Sequence, residues 1–374
     1  MGRSGESGRS GRSGRSGRSG RSGSGDLSDH AGGESSTLLN AALTTTHDGI
    51  AGYWDGKPGK PVATMLGIGD GEITYLRMST RALMLDHELA AAVYVGGAAG
   101  QATLSQVDAA SAGKLPLTGL LTLTRPAPEI FAAQLNWMRS YADLRDDRIA
   151  EISVQIDDIL SFFGSIALID EQRRLRTLEL LEATVRLCIH AEMKLKHLCR
   201  APRPIDLAPE VQPIVQTPDH STFPSGHATE AFAVATVLHR LMTGAGPKAG
   251  IGKSEGGLQT NRAQVFRLAN RIAANRTVAG VHFPVDTAAG ALLGCIIGDM
   301  VYGLGTGQKL EQARAFTAVV GPDDKIPARF SGTQDFDLSW LELALPDDRK
   351  AATPVQKGTI LQEFWRMAKT EWPE

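Results

Sequence analysis

Residues 224–242 read PSGHATEAFAVATVLHRLM. Pro224 ends a proline-rich loop that also holds Pro209, Pro213 and Pro218, and the spacing after it predicts a helix over about Gly226–Met242. Ser225 can cap that helix, whose free first-turn amides face whatever anion lies in front of it. Gly226 carries no side chain to obstruct close approach, and His227 lies at the rim, placed to give or take a proton. Standing alone, the tetrapeptide reads equally as an ordinary Ser-Gly helix start with an exposed histidine. Its partners along the chain decide the matter.

Upstream, a helix is predicted from Asp170 towards Leu198, with Leu175, Leu178, Leu181, Val185 and Cys188 as its buried stripe. Pro202 and Pro204 forbid its continuation. Lys196 falls in its last turn, and Arg203 follows between the two prolines, where a stiffened backbone presents a planar fork suited to oxyanions. Downstream, a helix over about Leu258–Val278 carries Arg276, and another begins near Pro284 and ends by about Gly303. His282 and Asp286 flank that start, four apart, so the carboxylate can accept from one ring nitrogen and leave the other as a lone-pair nucleophile or ligand. Pro126 and Pro128 open an earlier helix with Ile130, Phe131, Leu135 and Met138 at helical spacing, and a second covers roughly Asp143–Phe163. Residues 126–304 therefore read as a mainly α helical bundle with an oxyanion site between helix ends.

The flanks say less. Residues 1–36 are a Gly-Arg-Ser-rich tail with no residue able to enter a core, expected to be disordered. Its arginines attract phosphates only weakly and no aromatics interleave, so no specific nucleic acid is expected. Residues 37–125 form an N-terminal extension, poorly periodic, with a turn at Gly69-Asp70-Gly71 and a helix over Thr80–Val95; residues 305–374 form a C-terminal extension. Net charge is −2, and the three cysteines, Cys188, Cys199 and Cys295, sit in helical segments without disulfide or metal spacing. No secretory signal or membrane span is expected, since the longest apolar run, Thr287–Gly298, falls short of the roughly 20 residues a span needs. The expectation is a soluble, cytoplasmic protein; a homo-oligomer stays open.

The three blocks, KHLCRAPRP at 196–204, PSGH at 224–227 and NRTVAGVHFPVD at 275–286, resemble the signature KxxxxxxRP, PSGH, SRxxxxxHxxxD of the type 2 phosphatidic acid phosphatase and vanadium haloperoxidase superfamily. The intervals fit, and one position departs, with Asn275 where that family usually has Ser. The resemblance covers about residues 126–304. It implies that Lys196, Arg203 and Arg276 neutralise the non-bridging oxygens, helped by Ser225 and the Gly226 amide. It makes His227 the general acid–base and His282 the apical group, held by Asp286.

One cavity of this kind serves either a five-coordinate phosphate or vanadate, since both are trigonal bipyramids. The expected reading is a vanadate-dependent haloperoxidase that oxidises halide with hydrogen peroxide, with His282 as the vanadium ligand. It leans on the lack of spanning helices and of a signal peptide, and on His220, five residues before Ser225, where vanadium bromoperoxidases look similar. Met193, three before Lys196, speaks against it, because haloperoxidases often carry Trp or Arg there. The alternatives are a soluble acid phosphatase that hydrolyses phosphate monoesters through a phosphohistidine, with no cofactor, and a non-enzymatic phosphate or polyanion binder.

Overall fold

The computed structural model describes residues 37–51, 56–57, 60, 73–108, 116–252, 264–310, 314–319, 329–347, 350–354 and 359–373. The tail of 1–36 and the Gly69-Asp70-Gly71 turn lie outside the described residues. The chain is mainly α. Helices α1 (Thr37–Ala51) and α2 (Met78–Ala91) precede an antiparallel meander of β1 (Val93–Ala98), β2 (Gln101–Val107) and β3 (Leu117–Thr124). The helical core follows as α3 (Pro128–Ala142), α4 (Arg145–Gln155), α5 (Leu160–Ala167), α6 (Leu175–Cys199), α7 (Pro204–Leu207), α8 (Gly226–Thr243), α9 (Pro247–Ile251), α10 (Gln264–Val278) and α11 (Pro284–Thr306). After it come β4 (Gln308–Leu310), β5 (Arg314–Phe316), β6 (Ala318–Val319), β7 (Phe330–Ser331), α12 (Leu338–Ala344), β8 (Lys350–Pro354) and α13 (Ile360–Thr370).

The pairing of α8 with α11 organises the core. Gly290, Gly294 and Gly298 recur every four residues and so share one face of α11. A Cβ on Gly290 would stand 2.5 Å from the Ser225 carbonyl oxygen, one on Gly298 would stand 2.6 Å from the Thr236 Cβ, and one on Gly294 would overlap the Thr229 carbonyl. Only hydrogen lets the two backbones approach so closely. The order of these contacts also fixes the sense: the helices run parallel, with both N-termini at one end. The Ser225 amide donates to the Asp286 carbonyl across that junction (3.0 Å). Helices α6 and α10 pack on α8, and each ends beside its start. Four helix ends therefore meet.

The segments before and after the bundle are joined in one sheet of order β1-β2-β3-β5, in which β5 pairs parallel to β3. That sheet lies on α6 through β1 and β2, while α13 packs on α11, α6 and α2. Among the described residues, α11 is the helix long and apolar enough to cross a membrane, with 23 residues and a mean hydropathy of 1.5 in its most apolar window. That window is 94% buried inside the protein. The run over Thr287–Gly298 is thus the middle of a longer helix, which continues past Asp299 because that carboxylate is paired with Arg240 of α8 at 2.8 Å.

Several expectations shift. The helix expected over Thr80–Val95 stops at Ala91, because Val93-Tyr94-Val95 is a β-branched and aromatic run that pairs with Leu104–Gln106. The single helix expected over Asp143–Phe163 divides into α4 and α5, and α6 starts at Leu175 rather than near Asp170. Asp170 instead accepts from the backbone amides of Gln172 and Arg173 in the preceding turn. The three cysteines are buried and free.

Candidate active site

His282 precedes the first turn of α11, and Pro284 at its opening orients the chain so that Asp286 folds back. Asp286 Oδ2 accepts from the Phe283 amide (2.9 Å) and from the Thr222 hydroxyl (2.6 Å), and lies 3.3 Å from His282 Nδ1. Thr222 Oγ1 is 3.1 Å from the same ring nitrogen. The Thr222 proton goes to the carboxylate, so its oxygen and Asp286 are both acceptors for Nδ1–H. That fixes the tautomer: the lone pair is on Nε2. Burial, with Arg203 and Lys196 close by, holds the His282 imidazole well below its ordinary pKa, so it is neutral. Burial raises Asp286 to about 6, against the pull of the Thr222 hydroxyl, and leaves it ionised at neutral pH.

The cations come from three elements. Lys196 is buried, and its ammonium donates to the carbonyls of Pro224 and Ser221, leaving one N–H of three. Desolvation lowers it to about 8, with Glu192 pulling upward. Arg203 donates from Nε to the His220 carbonyl (3.0 Å) and from Nη1 to the Val281 carbonyl (2.9 Å). Its Nη1 stands 3.3 Å from His282 Nε2, and its Nη2 is 3.1 Å from His220 Nδ1. His220 thus walls one side of the fork and aims it. Arg276, lowered to about 10 by burial, donates from Nη2 to the Ile152 carbonyl (3.0 Å).

Helix α4 supplies a support that no motif announces. Its last carbonyls have no intrahelical partner, and two of them serve the site. Ile152 takes Arg276, and Gln155 takes His227 Nε2 at 2.9 Å. A carbonyl only accepts, so Nε2 carries the proton and Nδ1 is the nitrogen open to exchange. Burial, then Arg276, push His227 down to about 3. Asn275 bridges inward to the Gln155 and Glu151 side chains and receives Arg148, a positioning role for the residue that departs from the usual Ser.

Ser225 occupies the N-cap of α8 without making a side-chain cap. Its hydroxyl is buried with no hydrogen-bond partner among the described residues, and so are Arg276 Nε, Asp286 Oδ1, Gln155 Nε2 and Glu192 Oε2. A buried polar atom left unpaired costs about 1–3 kcal/mol. Five such atoms on the residues of one neighbourhood mark a place built for a polar ligand. The structure thus brings together Lys196, Arg203, Ser225, Gly226, His227, Arg276, His282 and Asp286, with His220 alongside. Sequence reading missed Thr222, Gln155, Glu192 and Glu230. The last two had a usable signal: Glu192 is four before Lys196, and Glu230 four after Gly226, hence on the same helix faces.

Two parallel helix N-termini, three cations and an oriented imidazole make an arrangement suited to a tetrahedral oxyanion. The PAP2 superfamily matches residues 178–307. Over 156 residues the chain is 30% identical to the decaprenylphosphoryl-5-phosphoribose phosphatase of Mycobacterium tuberculosis, strain CDC 1551 / Oshkosh, and equally to that of strain ATCC 25618 / H37Rv. The match covers 42% of this chain and 75% of each relative. LpxE of Aquifex aeolicus is similar at 26% identity and a TM-score of 0.28, covering 46% of this chain and 86% of that one. The chain belongs to the PAP2 superfamily.

That kinship overturns the expected vanadate-dependent haloperoxidase, because the curated relatives are phosphatases. The neighbours that had weighed on the choice do not decide it. His220 is engaged with Arg203, and Met193 is 39% exposed.

Proposed function

We propose that the protein is a phosphatase that hydrolyses phosphate monoesters through a phosphohistidine on His282. The orientation of His282 carries the reading: Nδ1 is tied to Thr222 and Asp286, and the Nε2 lone pair stands beside the Arg203 guanidinium. In this reaction Nε2 attacks phosphorus and the P–O bond to the alcohol breaks. His227, doubly protonated once the bound ester's charge has raised its pKa, gives its Nδ1 proton to the leaving alkoxide and keeps Nε2–H on the Gln155 carbonyl. Water then gives its proton to His227 and attacks phosphorus. The P–N bond breaks, its electron pair returns to Nε2, and inorganic phosphate leaves. Lys196, Arg203, Arg276, the Ser225 hydroxyl and the Gly226 amide stabilise the equatorial oxygens. The negative charge of a bound ester opposes the burial that depresses His227 and so raises its pKa towards a useful range. No step calls on vanadate or another cofactor.

The curated relatives are named for a 5-phosphoribose that carries a decaprenylphosphoryl group. In this chain, exposed Ile205 and Leu207 directly follow Arg203, and exposed Val154 and Ile156 flank Gln155. These aliphatics suit an ester whose alcohol portion is apolar. The test is release of phosphate from p-nitrophenyl phosphate and from a long-chain prenyl phosphate by the purified protein. His282→Ala should abolish both activities and the acid-labile phosphoenzyme. Wild-type protein without esterase activity, or turnover surviving in H282A, would overturn the proposal.

A further inference from the structure

Glu192 and Glu230 are buried carboxyls, 2% and 8% exposed, that the reaction above does not use. Glu192 lies one turn before Lys196 on α6, and its carboxyl rests against the backbone that opens α8. A Cβ on Gly226 would meet its Oε1 at 2.7 Å and its Oε2 at 3.1 Å. Oε2 has no hydrogen-bond partner among the described residues. Gly226 therefore leaves room for more than a ligand: it seats a carboxyl at the edge of the oxyanion cradle. Glu230 is one turn further along α8, on the Gly226 face.

The surroundings of the pair are mixed. From α6 it is faced by Lys196 and the neutral thiol of Cys188, from the segment before α7 by Arg203, and from α10 by Arg276. His227 shares the first turn of α8 with Gly226. An ionised Glu192 competes with a phosphoryl group for Lys196 and Arg203 and repels it. A protonated Glu192 offers an O–H donor instead. Two carboxyls confined together do not both ionise easily.

We propose that Glu192 is a further phosphate-contacting residue, a carboxylic acid whose O–H donates to a phosphoryl oxygen held against Gly226. The proposal rests on the reading of this cavity as a phosphate site. Its consequence is that anion binding is linked to one proton. Burial pushes Glu192 up to about 7, with Lys196 and Arg203 pulling back, and pushes Glu230 up to about 8, helped by Glu192. Affinity for a tetrahedral dianion is then highest on the acid side and declines as pH rises through this range.

Sulfate is the probe, because its own charge is constant across neutral pH. Titration calorimetry of the full-length protein in two buffers of different ionisation heat counts the protons taken up on binding. Wild-type protein should take up close to one proton near pH 8, with affinity falling by up to roughly tenfold per pH unit. Glu192→Gln, which donates from an amide at every pH, should lose most of the proton uptake and flatten the pH profile, leaving only the share of Lys196, which is lowered to about 8. Wild-type binding without proton uptake overturns the inference, as does E192Q with the wild-type uptake, which would assign the proton to Lys196 or His227. Should E192Q fail to fold, Glu192→Asp, whose carboxyl falls one methylene short of Gly226, serves in its place, and wild-type uptake in that variant overturns the inference. If p-nitrophenyl phosphate is hydrolysed while sulfate binding is not proton-linked, this inference fails alone. No sulfate binding at all overturns both it and the phosphate-site reading.

Discussion

Thr222→Val tests whether the loop before α8 sets the nucleophile. The Thr222 hydroxyl is fully buried and donates to Asp286 Oδ2 at 2.6 Å, while its oxygen lies 3.1 Å from His282 Nδ1. Valine keeps the shape and removes both contacts. A hydrogen bond to an ionised group contributes about 1.5–3 kcal/mol. After its loss Asp286 keeps the Phe283 amide at 2.9 Å and the longer 3.3 Å approach of Nδ1. The imidazole tautomer is then less firmly held. Losing a partner of this kind elsewhere lowers activity by about 10–100-fold, or roughly 1.4–2.7 kcal/mol of barrier, which overlaps the bond's own worth. The loss should fall on kcat, with KM for the ester little changed, because Thr222 is paired with the His–Asp couple rather than with the anion cradle. Thr222→Ser should restore most of it. The hydroxyl lowers the Asp286 pKa, so its removal raises that group above about 6 and shifts the acid limb of the kcat profile to higher pH. Steady-state kinetics with quenched-flow trapping of the phosphoenzyme measures all of this. A folded T222V with kcat within about twofold of wild type would refute the assignment of Nε2 as a nucleophile poised through Thr222.

Gly294→Ala places a Cβ onto the Thr229 carbonyl and 2.9 Å from the Ala233 amide nitrogen, backbone atoms that cannot swing aside; the cost should be about 1–3 kcal/mol in denaturant unfolding, and an unchanged midpoint would contradict the close α8–α11 seam. Arg240→Met removes the buried 2.8 Å pairing with Asp299 and should cost about 3–5 kcal/mol, whereas Arg240→Met with Asp299→Leu should recover most of it; equal loss in both variants would count against the pairing. His227 and His282 have folded pKa values below the ordinary 6.5, so their stabilising contribution is complete above it and drains away as pH falls. Glu192 and Glu230 are raised from 4.5, so theirs is complete below 4.5 and is lost as pH rises through about 7 and 8. The melting temperature should therefore peak between 4.5 and 6.5, and a steady rise to pH 8 in a thermal scan would contradict the buried neutral carboxyls. Ile205→Asp with Leu207→Asp should raise KM for a long-chain prenyl phosphate and leave p-nitrophenyl phosphate kinetics unchanged; equal effects on both would remove the apolar-alcohol reading.

Much of the site is legible because its chemistry lives in side chains that punctuate helix ends. Pro204, Pro224 and Pro284 each force a break; Arg203, Ser225, His227 and His282 sit within a few residues of those breaks, and Lys196 lies in the last turn of the helix before the first. What escapes has a physical reason in each case. The Ile152 and Gln155 carbonyls act through the backbone, and any residue type presents the same oxygen. Thr222 lies in irregular chain, where no periodicity relates it to Asp286. Glu192 and Glu230 have the right spacing but look like ordinary helix charges until Gly226 shows that one of them is pressed against the cradle. The strands β1–β3 were hidden because the burial of Leu117–Thr124 does not strictly alternate and because the ladder shifts register between Leu104 and Ser105.

The choice between ester hydrolysis and halide oxidation has a different origin. In the proposed site Lys196, Arg203, Ser225, Gly226, Arg276 and His282 would neutralise and position an oxyanion whatever its central atom, so they carry no information about which one is bound. Discrimination must come from groups that touch the ligand only in one protonation state or one geometry. Met193 is partly exposed and His220 is engaged with Arg203, so neither reports on the central atom. Glu192 is placed to do so, because a protonatable donor against Gly226 couples binding to pH. A vanadate permanently bound to His282 would keep that carboxyl in contact with an anion at all times, whereas a phosphatase must release its product. Deprotonation of Glu192 after hydrolysis weakens the hold on inorganic phosphate when release is needed. A carboxyl pair under the cradle therefore fits a turnover cycle better than a resident cofactor, and it ties the phosphatase reading to a residue outside the three motif blocks.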